Sequence, residues 1–172
     1  FDSIGWYGRL DFGANLTQNN ESILALSGST RIDRLGEDAR NFFIASYNFV
    51  QAGNDRFIND GFGHLRHGQE ISKRWIWEAF GQLQYNRKLS IQLRGLAGTS
   101  PRFRFTDDEN RWDFVIGLLY MYEYNELNDG ETIRRDHRLS AYVSWQLQLN
   151  ELMSFASTSY YQPLLTNFSE SR

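Results

Sequence analysis

Three histidines and no cysteine limit the chemistry open to this chain. On a single strand, His and Ser two positions apart leave the same face, where the imidazole can take the hydroxyl proton in a hydrolytic pair. None of His64, His67 and His137 has serine at that spacing. Ser140 is three positions from His137, on the opposite face of any strand. His64 and His67 are also three apart, which makes a poor metal pair on an extended backbone. Without cysteine there is no thiolate, disulfide or Cys-ligated metal. Gly61-Phe62-Gly63 lacks the Lys-Ser/Thr that follows in a phosphate loop, and reads as strand in which small residues permit close packing or a bend. Asp107-Asp108-Glu109-Asn110 reads as an acidic solvated turn in preference to a Ca²⁺ loop. No catalytic residue, metal ligand or cofactor is expected, and the chain is not expected to be an enzyme.

The elements that carry these residues follow from composition and period. The 172 residues suffice for one domain. The 18 Lys+Arg and 21 Asp+Glu leave a net charge of -3, which argues against a nucleic-acid partner held by a basic surface. Mean hydropathy is -0.56, and no apolar run is long enough for a membrane helix. Aromatic residues nevertheless make up 16% of the chain, which excludes disorder. Low hydropathy with many aromatics is the mark of alternating strands.

Period two is legible in most of the chain. Trp75, Trp77, Ala79, Gly81, Leu83 and Tyr85 oppose Ile76, Glu78, Phe80, Gln82, Gln84 and Asn86. The same alternation occurs from Ile4 to Ala14, Leu24 to Asp33, Leu89 to Gly98, Trp112 to Tyr124 and His137 to Leu149. Residues 40–51, 57–69 and 152–162 read as strands of unclear phase. Short turn clusters separate them: Thr17-Gln18-Asn19-Asn20, Leu35-Gly36-Glu37-Asp38, Ala52-Gly53-Asn54-Asp55, Asn86-Arg87-Lys88, Asn128-Asp129-Gly130 and Asn150-Glu151. The expected fold is all-β: about nine strands in an antiparallel up-and-down meander forming one domain over residues 1–172.

Strand length and aromatic placement point to a transmembrane β-barrel. Ten steps from Trp75 to Tyr85 span about 33 Å, and at a 40° tilt they rise roughly 25 Å, the height of the apolar band of such barrels. Trp6, Trp75, Tyr85, Trp112, Tyr122, Tyr124 and Trp145 are the expected membrane-interface aromatics. Arg9, Asp11, Arg31, Asp33, Glu78, Gln82, Gln84, Arg94, Asp113, Glu123 and Arg138 are the expected lumen-facing residues, with Gln146 and Gln148 on the same parity. A soluble core lined by such groups would be costly. Arg102-Phe103-Arg104-Phe105 is open to two readings, lipid-phosphate contact or a strand end with arginines in the lumen. Single-chain barrels use even strand numbers, so nine strands and the ending Phe168-Ser169-Glu170-Ser171-Arg172 suggest a truncated chain, with 10–12 strands in the complete protein. The start at Phe1 leaves a cleaved signal peptide undecided.

The stretch from Trp77 to Asn86, continuing from Leu93 to Arg104, resembles a family of outer-membrane barrels with a domain of unknown function, some members of which are named as salt-induced outer-membrane proteins. Gly61 to Arg66 and Ser157 to Pro163 fit the same pattern, so that the resemblance covers residues 57–168; Pro101 stands where glycine is expected. The resemblance implies a barrel in the outer membrane of a Gram-negative bacterium, continuing past the Tyr-Gln-Pro segment, with no activity to carry over. The expected role is structural or transport-related, in contact with the bilayer and lipopolysaccharide, with a lumen more plugged than open. Two alternatives are an accessory subunit that meets other outer-membrane proteins through a seam of Ala79, Gly81, Gly95 and Ala97, and a soluble ligand-binding barrel with its apolar face inward.

Overall fold

The computed structural model describes residues 3–18, 22–53, 55–106, 112–127, 132–150 and 153–161. They form β1 (Gly5–Gln18), β2 (Ser22–Leu35), β3 (Ala39–Ala52), β4 (Asp55–Glu70), β5 (Trp75–Asn86), β6 (Ile91–Arg104), β7 (Trp112–Leu127), β8 (Ile133–Gln148) and β9 (Ser154–Tyr161). These nine strands make one sheet in chain order, each antiparallel to the next. Strands β1 and β9 are its two edges and do not pair with each other among the described residues.

Local chemistry sets the turns. Gly53 takes a left-handed φ of 55° in the connection from β3 to β4, a conformation glycine adopts without steric cost. Between β5 and β6, the Asn86 side-chain carbonyl accepts the N–H of Leu89 at 2.9 Å, and Ser90 has a φ of 56°. Leu89 was expected in a strand; that side-chain bond and the left-handed residue after it place it in the turn instead, and β6 starts at Ile91. Pro101 lies within β6. The β6–β7 ladder pairs Thr99 with Tyr120 and Arg102 with Gly117 but skips Ser100 and Pro101, where proline has no N–H to donate.

Apart from register shifts at Val50/Gln51, Gln84/Asn86 and Ile91/Leu93, the register carries one parity across the sheet. One row runs Asp33, Phe42, Arg66, Phe80, Gly98, Met121, Arg138; the next runs Arg31, Ile44, His64, Gln82, Leu96, Glu123, Asp136. These rows belong to a polar face, and the opposite parity forms an apolar face. Burial is inverted between the two. On the polar face Glu78, Glu123, Arg138 and Ser140 are 8%, 2%, 5% and 0% exposed, whereas Trp6, Leu10, Leu83 and Leu118 on the apolar face are 71%, 80%, 61% and 53% exposed. One sheet with no second layer can cover side chains only by curling over them. Arg66 on β4 and Tyr142 on β8 lie within electrostatic reach of each other, although four strand spacings amount to roughly 19 Å on a flat sheet.

Candidate functional site

The register places all eleven polar candidates on the polar face, and seven of them stand on β5–β8. Glu123 on β7 is clamped from both sides. Its Oε1 accepts from Arg94 of β6 (Nε 2.9 Å, Nη2 2.8 Å), and its Oε2 accepts from Arg138 of β8 (Nε 2.9 Å). Arg138 also donates to Asp136 at 3.3 Å. One carboxylate thus ties three strands, and each oxygen has a charged donor, as a buried ion needs. Glu78 accepts from Arg102 Nη1 at 2.5 Å and lies 4.0 Å from Arg66 Nη2. Asp113 accepts from Thr106 at 2.8 Å and pairs with Arg104 at 3.6 Å. Gln82 meets His64 Nδ1 at 3.2 Å, and Gln84 is the cross-strand neighbour of Arg94.

Two glycines make room for this packing. A Cβ on Gly98 would fall 2.5 Å from the Phe80 ring and 2.8 Å from the Tyr120 carbonyl oxygen. A Cβ on Gly117 would overlap the Tyr142 ring. Each glycine is therefore the floor for the aromatic ring of its cross-strand partner.

The other four candidates do not join the cluster. Arg9 donates to Asp11 (Nε to Oδ2, 2.8 Å) and Arg31 to Asp33 (2.6 Å), each pair lying within one strand. The sequence reading also missed a stack on this face: the His64 ring lies 5.4, 6.3 and 5.7 Å from those of Phe42, Phe62 and Phe80. Arg66 is not among the lumen candidates either, and Arg102 and Arg104 stand there only as one of two open readings. Even-number parity running from Arg94 through β6 was the signal for the last two. Arg102 and Arg104 belong to the polar face and Phe103 and Phe105 to the apolar one, so the Arg-Phe-Arg-Phe stretch splits between the two faces.

All seven aromatic candidates are on the apolar face. Its tryptophans, all five in the chain, gather at the end where β1 begins; Tyr85, Tyr122 and Tyr124 lie toward the other end. At the tryptophan end, Trp75–Phe103 (4.9 Å), Phe103–Phe105 (4.8 Å) and Phe105–Phe114 (5.3 Å) form a continuous series of edge contacts. Phe114 pairs in register with Trp145, which lies 4.9 Å from Phe155, so the girdle runs from β5 to β9. On the same face Gly63, Gly81, Gly95 and Ala97 floor an apolar groove of about 460 Å³ walled by Leu65, Leu83, Tyr122 and Tyr124. Three of the four residues of the expected small-residue seam, Gly81, Gly95 and Ala97, line it.

The histidines take ordinary polar partners. His137 is exposed on the apolar face and shares a 2.6 Å hydrogen bond with the Tyr120 hydroxyl, whereas Ser140 is buried on the polar face. His67 meets Asn41 at 2.7 Å on the face opposite His64. Among the described residues no group of three His, Cys, Asp or Glu could hold a metal, and no helix is long and apolar enough to cross a membrane. The acidic turn Asp107 to Asn110, the Asn128-Asp129-Gly130 turn and residues 162–172 lie outside the described residues. No curated protein and no solved structure matches the chain. A family described as "Protein of unknown function, DUF481" matches residues 10–172, and the chain, whose long alternating strands and buried polar face are described above, belongs to that family.

Proposed function

We propose that this chain is the wall of a transmembrane β-barrel in the outer membrane of a Gram-negative bacterium, with a structural or transport-related role and an interior closed by cross-strand ion pairs. The observation that carries this reading is the inverted burial: large apolar and aromatic side chains stand exposed on one face while arginine and glutamate are buried on the other. Lipid solvates the first face, and paired charges fill the second. Strands of 14–16 residues, as in β1–β4 and β6–β8, exceed the 9–11 that a tilted crossing requires. Tryptophan and tyrosine at the two ends of the apolar face suit the two interfaces. A soluble ligand-binding barrel would need the reverse arrangement, with the apolar face inward. The Arg94–Glu123–Arg138 clamp favours a plugged lumen over an open pore.

Single-cysteine labelling tests the reading in a chain with no cysteine of its own. Cysteine at Leu83, folded in bilayers, is expected to react with a lipid-phase reagent and resist a water-soluble one, and cysteine at Gln84 is expected not to react from lipid. If Leu83 is shielded from both reagents while Gln84 reacts from water, the apolar face is a protein core and the membrane reading fails. The groove over Gly63, Gly81, Gly95 and Ala97 favours a second reading, an accessory subunit packed closely against another outer-membrane protein. Crosslinking from cysteine at Ala97 in native membranes is expected to trap that neighbour.

A further inference from the structure

On the polar face, toward the tryptophan end, two guanidinium groups converge on one carboxylate. Glu78 binds Arg102 at 2.5 Å through Oε1, and its Oε2 is 4.0 Å from Arg66. At salt-bridge range two positive charges thus meet one negative charge, with Asp113 acting on Arg102 only at longer reach. The Nε atoms of Arg66 and Arg102 are buried and have no hydrogen-bond partner among the described residues. A buried N–H without an acceptor is unfavourable, more so on a charged group. Both the excess charge and the idle donors call for an acceptor that is itself anionic.

The surroundings leave such a group well placed. Tyr142 covers Gly117, the cross-strand neighbour of Arg102, within electrostatic reach of both arginines and of Glu78, and its phenol can donate. Arg66 sits between Phe42 and Phe80 in the ladder, with its guanidinium 5.8 Å from the Phe42 ring, so apolar walls lower the local polarity and strengthen any charge pairing.

We infer that Arg66 and Arg102, with the Tyr142 hydroxyl, form a binding site for a small oxyanion, a carboxylate or phosphate group. The site goes beyond the membrane reading and stands on the polar face alone. Calorimetric titration of the folded protein in maltoside micelles, which carry neither charge nor phosphate, tests it with inorganic phosphate and then acetate. The expected result is a saturable heat. Arg66→Gln should abolish it. Arg66→Lys, which keeps the charge but lacks Nε–H, should weaken binding about tenfold, and Tyr142→Phe should weaken it about threefold. Arg9→Gln, on the same face but outside the cluster, should bind as the parent does. The site is overturned if neither anion gives a saturable heat up to about 50 mM, or if Arg66→Lys and Tyr142→Phe, which change little volume, both bind as the parent does. A chain that labels as membrane-inserted yet shows no such heat loses this site and keeps the barrel.

Discussion

The polar face is built in two ways. In β1 and β2 each arginine takes the acid two residues further along its own strand, Arg9 with Asp11 and Arg31 with Asp33, and three of these four residues are exposed. In β5–β8 the arginines reach across strands, Arg94 and Arg138 to Glu123 and Arg102 to Glu78, and the two carboxylates are buried. An i, i+2 pair forms wherever its strand forms, and its reach beyond the strand is slight here: Ser29 donates to Asp11 at 3.3 Å and Arg31 lies 5.5 Å from the Phe42 ring. A cross-strand pair exists only when register and curvature bring its partners together, and its burial makes it matter to the fold. Charge patterning that looks alike in sequence thus has local consequences at one edge and tertiary consequences toward the other.

This contrast can be broken or sharpened by substitution, with unfolding midpoints in detergent or bilayers as the measure. The largest effect is expected from Glu123→Ala, which leaves two guanidiniums facing each other without their carboxylate and should cost about 3–5 kcal/mol. If it costs no more than Asp33→Ala, the two regions do not differ. Next comes a charge on the apolar face: Leu83→Arg should destabilise the bilayer-embedded protein by about 2–4 kcal/mol, with Gln84→Arg costing far less. Equal losses at both positions would deny that the two faces meet different media. Gly98→Ala should then cost about 1–3 kcal/mol, because its new methyl meets the Tyr120 carbonyl as well as the Phe80 ring. Gly117→Ala should cost less, since the atoms nearest its new methyl all belong to the far end of the Tyr142 side chain and none to backbone. Gly28→Ala on β2, where nothing lies within 4 Å, should be neutral. The smallest effect is expected of Arg31→Gln, whose exposed in-strand pair should leave the midpoint unmoved.

Much of this is legible in the sequence. The alternation in β1, β2 and β5–β8 sorts the polar candidates of each strand onto one face, because successive side chains along a strand point to opposite faces. The aromatic ends of the apolar face followed from the same parity. What parity could not supply was partnership. Parity alone allows Arg94 and Arg138 any acid on the polar face, and only the register of β6, β7 and β8 selects Glu123. Residues 40–51 were opaque because Phe42 and Ile44 sit on the polar face as apolar exceptions, and their reason, the stack with His64, is a contact between strands. Leu89 was misplaced because a side-chain bond from Asn86 outweighed a continuing alternation.

By itself, then, the sequence determined the all-β class, the order of strands and turns, the two unlike faces and the absence of a histidine–serine pair at hydrolytic spacing. These are properties of neighbours along a chain whose side chains alternate. The tertiary structure alone decided which face is buried, which charges pair and which glycines serve as floors, because these depend on how strands distant in sequence are curved over one another. The arginine excess around Glu78 belongs to this second kind: its members come from β4, β5 and β6, and only the curled sheet makes them one site.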